Sequence, residues 1–266
     1  MKLEGKLAFI TGGGGGIGGG LAQAFAERGM RLVLADIDVA LAQQQAAQFG
    51  DKAIAVMLDV TSLESWASAR QAAHARFGSI DVLCNNAGIA MPRQPLDQVP
   101  PETFERVMAI NVTGVYNGVV TFAADLREQG SGHIVNTSSM NGLMPFASFA
   151  PYSASKFAVT GLSDALRDEL APFGVGVSVL FPGLTRSRMS IGDIESGQIP
   201  RVLEASMMEP IWLGRMVVKA IEENRPYVIS HPGYRTAVEA RFQSVLAAFG
   251  EPAQPGYVGR SGKGAG

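Results

Sequence analysis

The sequence predicts an α/β fold: a single doubly wound parallel sheet of about seven strands with helices on both faces. Three observations carry that prediction. Short apolar runs alternate with amphipathic stretches along most of the 266 residues, the pattern that sets parallel strands between crossover helices. The runs, Val175 to Phe181 above all, are continuously apolar, as burial on both faces requires. A glycine cluster stands where the first run gives way to helical period, the place for a strand, turn and helix.

In order, Lys6 to Thr11 reads as the first strand, and Leu21 to Arg28 as helix, with Leu21, Ala24 and Phe25 on one side. Arg31 to Asp36 is the second strand. A helix at about 38–49, a strand at 52–58, a helix at 62–77 and a strand at 80–85 follow. A long helix over about 101–128 precedes strand 133–138, helix 152–172 and strand 175–181. Past Pro182 the rhythm breaks. Residues 184 to about 210 hold Gly, Pro, Ser and scattered Met with little period, and so long a segment reads as a substrate lid. Glu209 to Glu223 regains helical pattern, Tyr227 to Ser230 is the last strand and Val238 to Phe249 the last helix. Residues 1–250 are thus read as one domain, and the Gly- and Pro-rich 251–266 as a flexible tail.

Composition excludes several functions. A formal net charge of -2 leaves no basic footprint for nucleic acid or an anionic membrane. No apolar run is expected to reach the ~18 residues of a membrane span, and Met1 to Gly5 lacks the core of a signal peptide. Cys84 is the only cysteine, which rules out a disulfide within the chain and fits a cytoplasmic protein. His74, His133 and His231 are too far apart for a recognisable metal motif, and no metal is expected.

Backbone N–H groups at a glycine turn and the helix start after it attract a pyrophosphate. Gly12, Gly15, Gly16, Ile17 and Gly18 are the candidates, and no Gly-Lys-Ser/Thr follows to make a Walker loop. Gly19 and Gly20 exceed what such a turn needs and cost a helix about 1 kcal/mol each; the turn is expected to be mobile until a dinucleotide orders it. Asp36, with Ile37 beside it, ends the second strand 20 residues after Gly16. A carboxylate there accepts ribose hydroxyls and repels a 2′-phosphate. With no Arg or Lys at 13–15 or 37–40, the expected cofactor is NAD.

The chemistry centres on Tyr152-Ser153-Ala154-Ser155-Lys156. In a helix, residues four apart share a face. A cation about 4 Å from a phenol is worth up to roughly 4 kcal/mol at an effective dielectric near 20, so Lys156 is expected to make Tyr152 acidic enough to act as a base near neutral pH.

Taken together, the glycine-rich start, Asn85-Asn86-Ala87-Gly88, Asn111, Ser139 in Ser-x-x-Gly spacing, Tyr152-x-x-x-Lys156 and Pro182-Gly183 resemble the short-chain dehydrogenase/reductase family over residues 6 to 232. The resemblance implies a Rossmann-type fold and NAD-linked interconversion of a secondary alcohol and a ketone. Tyr152 would be the base, Ser139 the partner of the substrate oxygen with Ser138 as its competitor, and Asn111 the holder of a relay water. Lys156 would also hold the nicotinamide ribose. Asp59 and Val60 would border the adenine, and Asn86, Ala87 and Gly88 the adenosine ribose. Pro182, Gly183, Leu184 and Thr185 would receive the carboxamide, although the family has a Thr where Ser187 stands. Helices 101–128 and 152–172 pair subunits in relatives, implying a homodimer or homotetramer.

Met140, Asn141, Phe146, Phe149, Leu184 and Met189, with Met91, Met144, Met207 and Met208 nearby, are read as a pocket for a bulky apolar or aromatic substrate. Met208-Glu209-Pro210, Pro226 to His231 and Glu239 to Phe242 also resemble bacterial dehydrogenases of the benzylic Cα alcohol of aryl ethers. The alternatives are a 3-oxoacyl or steroid carbonyl reductase, an SAM-dependent methyltransferase, and a non-catalytic dinucleotide-binding protein.

Overall fold

Among the described residues, seven strands form one parallel sheet in the order β3-β2-β1-β4-β5-β6-β7. The computed structural model describes residues 1–250, so the expected tail 251–266 lies outside the described residues. The strands are β1 (Leu7–Thr11), β2 (Arg31–Asp36), β3 (Ala53–Met57), β4 (Val82–Asn85), β5 (Gly132–Thr137), β6 (Val175–Phe181) and β7 (Tyr227–Ile229). The helices are α1 (Gly16–Ala26), α2 (Val39–Ala47), α3 (Leu63–Phe77), α4 (Pro101–Met108), α5 (Gly114–Gln129), α6 (Ala150–Leu170), α7 (Arg188–Glu195), α8 (Pro210–Glu223) and α9 (Arg235–Ala247).

Strand side chains alternate between faces, and here both faces are roofed. Ala8 and Ile10 of β1 join a core with Leu21 and Phe25 of α1, Ala42 of α2 and Leu213 and Val217 of α8. Leu7 and Phe9 join the opposite core, with Trp66 of α3, Phe122 of α5 and Leu166 of α6. Phe9 lies 5.8 Å from Trp66 and 5.1 Å from Phe122 between ring centroids, and aromatic pairs of this kind add about 0.5–1.5 kcal/mol each beyond area burial. The chain winds from β1 out to β3 and then crosses back to β4. That reversal opens a crevice beyond the carboxyl ends of β1 and β4, where ligands bind in open α/β sheets.

Several sequence expectations are corrected. The first helix begins at Gly16, not near Leu21, and of its extra glycines Gly20 is a packing position. A Cβ on Gly20 would run into the main chain of Pro210, and one on Gly214 into the carbonyl of Gly20. The turn before the helix is tied down: Gly13 N–H donates to the Ala35 carbonyl at 3.0 Å and Gly14 N–H to Asp36 at 2.9 Å. The expected helix 101–128 runs from Pro101 to Gln129 and carries a π-helical turn, Ala109–Thr113, between α4 and α5. Pro101–Gln129 as a whole is, by length and composition, long and apolar enough to cross a membrane, contrary to the expectation of no such run; its Phe122 and Leu126 are buried in the core.

The segment 184–210 is more ordered than its composition suggests. Ser187 and Ser190 form a reciprocal capping box that starts α7. Its two ends are joined, with Arg186 N–H donating to the Met208 carbonyl at 3.0 Å and Met208 N–H to the Leu184 carbonyl at 3.1 Å. Arg186 also pairs with Glu209 at 2.8 Å and Glu204 at 3.3 Å. Finally, the chain divides into two units, residues 1–232 and the part from Gly233 onward, where the sequence suggested one domain. In the second unit no residue of α9 is buried, and Phe242, Val245 and Leu246 are exposed.

Candidate active site

β5 ends at Thr137, and its last carbonyl accepts the Lys156 ammonium at 3.0 Å. The two serines that follow have different partners. Ser138 Oγ donates to the Lys156 carbonyl at 2.8 Å and lies 3.1 Å from Thr160 Oγ1, so it is tied to α6. Ser139 caps the turn Met140–Gly142, accepting from Asn141 N–H at 3.2 Å, and its hydroxyl hydrogen-bonds the Tyr152 phenol. Of the two, Ser139 faces the phenol.

Tyr152 and Lys156 stand one turn apart on α6, with Nζ 5.5 Å from the tyrosine ring centroid. Phe149 packs against the same tyrosine ring, with centroids 4.6 Å apart and planes tilted by 31°. The sequence leads one to expect an acidified phenol; in this unliganded structure the balance runs the other way. Burial pushes Tyr152 up to about 12, opposed by the Ser139 hydrogen bond and reinforced by the charge of Asp193. The residue is only half-buried by surface area, so water entering the crevice moderates that shift. Burial also draws Lys156 down to about 8, because the ammonium is 4% exposed and desolvation penalises a charge. Asp193, on α7, is itself raised by burial and lowered by Arg93.

Asn111 sits in the π-helical turn with no exposed surface. Its Oδ1 accepts from Ile89 N–H at 2.8 Å; its Nδ2 donates to the Ile89 carbonyl and to Ser155 Oγ, each at 3.0 Å. Ser155 Oγ in turn donates to the Tyr152 carbonyl at 2.7 Å. Both amide hydrogens of Asn111 are therefore engaged by protein. Ser155, which sequence reading left without a role, links the turn to α6.

The glycine end is organised by main chain. Thr11 Oγ1 accepts from both Asn86 N–H and Ala87 N–H at 2.9 Å, while Asn86 Nδ2 donates to the Thr11 carbonyl at 3.0 Å. The ends of β1 and β4 are thereby locked together. Asp36 accepts from Gly14 N–H at 2.9 Å and from Asp38 N–H at 3.0 Å, which aims its carboxylate at the turn. Gly15 has φ 148° and open space where a side chain would be. Ile37 is exposed, Val60 is buried, and Asp59 accepts from Thr61 at 2.7 Å through its hydroxyl.

Pro182, Gly183, Leu184 and Thr185 leave β6 beside the Ser139 turn, with Met140 N–H donating to the Pro182 carbonyl at 3.0 Å. Ser187 abuts Gly16, whose added Cβ would lie 3.1 Å from that of Ser187. Among the expected pocket residues, Met91 and Phe149 form a buried apolar cluster against which Phe146 and Tyr152 pack. Met140, Asn141 and Met207 are buried, and Met189 is exposed on α7. Away from the site, His133 is buried and drawn down to about 3 by burial, its Nε2 2.8 Å from Ser178 Oγ. Burial pushes the Cys84 thiol up.

A parallel sheet with a glycine turn at its switch point, and a serine, tyrosine and lysine grouped at the same edge, defines a dinucleotide-dependent oxidoreductase. Residues 6–196 match the short chain dehydrogenase family, and the chain belongs to it. It is an enzyme acting on CH–OH groups, as its named relatives are. The methyltransferase and non-catalytic readings fall on that finding. The chain is 30% identical to a C alpha-dehydrogenase of Sphingobium sp. over 263 residues, covering 92% of this chain and 86% of the relative. It is 33% identical to a 3-alpha-(or 20-beta)-hydroxysteroid dehydrogenase of Mycobacterium bovis over 226 residues, covering 85% and 86%. A short-chain dehydrogenase/reductase from Burkholderia phymatum, solved in complex with NAD, superposes with a TM-score of 0.85 at 29% identity, covering 97% of this chain and 100% of that one.

Proposed function

We propose that the protein interconverts a secondary alcohol and a ketone with NAD, on a bulky apolar or aromatic substrate of the benzylic kind. The observation that carries the reading is the meeting of Tyr152, Ser139 and Lys156 at the sheet edge beside the glycine turn. The residues present fit the dinucleotide. Gly15 leaves open space at the helix start, and the Asp36 carboxylate stands where a ribose diol would be read and a 2′-phosphate repelled. Gly12, Gly16, Ile17 and Gly18 would hold the phosphates, Asp36 and Asn86 to Gly88 the adenosine end, and Lys156 with Pro182 to Thr185 the redox end. When bound, the cofactor accepts or supplies the hydride.

The chain's own groups manage the proton. In oxidation Tyr152, as phenolate, takes the hydroxyl proton while Ser139 hydrogen-bonds the substrate oxygen. In reduction Tyr152, as phenol, returns that proton; this is the form that burial favours in the free protein. Asn111 Nδ2 holds Ile89 and Ser155, and through them fixes the π-helical turn against α6. The apolar cluster of Met91, Phe146 and Phe149 beside Tyr152 supports the substrate class, and the C alpha-dehydrogenase relative points the same way. The hydroxysteroid relative favours a second reading, an alicyclic alcohol.

NAD- and NADP-linked turnover measured over secondary benzylic, steroid and 3-hydroxyacyl alcohols tests the proposal. It predicts the highest kcat/KM for a benzylic alcohol with NAD. Preference for NADP would overturn the cofactor assignment, and preference for a steroid or acyl substrate the substrate assignment. Exposed Phe104, Tyr116, Val120 and Phe173 on and beside the paired-helix surface support a homodimer or homotetramer; sedimentation as a monomer at micromolar concentration would refute it.

A further inference from the structure

The segment Pro182–Thr185 is held at several points, one of them a hydrogen bond between His231 and the Leu184 main chain. The Pro182 carbonyl accepts from Met140 N–H at 3.0 Å, and the Leu184 carbonyl from Met208 N–H at 3.1 Å. The Thr185 carbonyl accepts from Ser190 Oγ at 2.7 Å. Another hold comes from just past β7, where Ser230 Oγ accepts from Gly183 N–H at 3.0 Å. Ser230 is 4% exposed, and its Oγ also lies 3.1 Å from the Phe181 carbonyl and 2.6 Å from His231 Nδ1. The imidazole presses against the loop: a Cβ on Gly183 would stand 2.5 Å from His231 Cγ and 2.6 Å from Nδ1. The ring thus fills the space that a side chain at 183 would take.

We infer that Ser230 and His231 are positioning residues for hydride transfer, fixing the Pro182–Thr185 segment from beneath so that it meets the redox end of the cofactor in one conformation. This rests on the reading above, in which that segment receives the nicotinamide. A serine hydroxyl has one proton and two lone pairs. Its proton goes to the imidazole or to Phe181 according to the ring tautomer, and in either case a lone pair remains for Gly183 N–H. Without the ring, Gly183 faces an empty volume and has a glycine's backbone freedom. The loosening is then confined to the redox end, because the glycine turn and Asp36 are held by separate contacts.

The test compares binding of NADH with binding of ADP-ribose, which shares the adenosine and pyrophosphate but lacks the nicotinamide. His231→Ala is expected to weaken NADH about tenfold relative to ADP-ribose, the size of one lost hydrogen bond and its packing, and to lower kcat more than it changes KM for the alcohol. His231→Asn, whose amide reaches the Nδ1 position, is expected to restore most of the loss. A wild-type ratio of affinities in His231→Ala, or an asparagine no better than the alanine, overturns the inference while leaving the functional reading intact. Wild-type protein that binds NADH no better than ADP-ribose overturns the parent reading, and the inference with it, before any substitution is made. Ser230→Ala is expected to reproduce the alanine phenotype, and the histidine pair decides the matter should that buried change prevent folding.

Discussion

The two ends of the crevice are built from different material. At the glycine end main-chain groups hold the arrangement: the Asn86 and Ala87 N–H groups donate to Thr11, and backbone donors fix Asp36. At the other end side chains do it, and each depends on burial and on neighbours: Lys156 on the Thr137 carbonyl, Tyr152 on Ser139 and Phe149, Asn111 on Ile89 and Ser155. A main-chain site changes when the backbone moves. A side-chain site changes when its dielectric or its charges change.

The sharpest separation of the two ends is Tyr152→Phe. It should lower turnover by about 10³-fold, within the usual range for a positioned acid or base, while NADH binding by fluorescence stays near wild type. Loss of both together would mean that the ends are not separable. Gly20→Ala should act in the opposite sense, forcing α1 and Pro210 apart and costing about 1–3 kcal/mol as overpacking does. Thermal unfolding would show it, with catalytic groups untouched; an unchanged Tm would mean that the helix contact yields freely. Asp36→Ala should narrow the preference for NAD over NADP by about tenfold, the loss of one charged hydrogen bond. A constant preference would place cofactor selection elsewhere.

The smallest effects are in pH. Because Tyr152 sits high, at about 12, oxidation should accelerate from pH 7 to 10 as the phenolate grows. Asp193→Asn removes a charge that raises that pKa, and so should move the rising limb to lower pH. A limb that stays in place would show that α7 does not act on the phenol. Stability gives a second readout. With Lys156 at about 8 in the fold and near 10.5 when unfolded, the unfolded chain binds the extra proton between those values, so stability should rise with pH from about 8 until, above about 9, the buried Cys84 thiol begins to oppose it. Lys156→Met should abolish the rise in denaturant titrations.

The sheet was legible because its strands are buried on both faces and cannot hide their composition, and the glycine turn because Gly12, Gly16 and Gly18 lie between a strand and a helix. Tyr152 and Lys156 were legible from their helical spacing, and Ser139 and Asn111 as candidates through the family resemblance. Three things were not. The π-helical turn at Ala109–Thr113 leaves no compositional mark, since Asn111 earns its place through Ile89, 22 residues away. The phenol's environment depends on how tightly Phe149 and the Ser139 turn close over it, and spacing carries no dielectric. α7 is a short helix specified by a serine box, with too few turns for a periodic stripe.

The bare backbones of Gly20 and Gly214, face to face, tie the helix that starts at the glycine turn to the one that begins where the 184–209 segment ends. Exchanging that segment with a relative's, the obvious way to graft a new specificity, would therefore be decided at its exit. An incoming piece that does not hand over to a helix lying flush on position 20 would displace the glycine-turn end of the crevice along with the Tyr152 end.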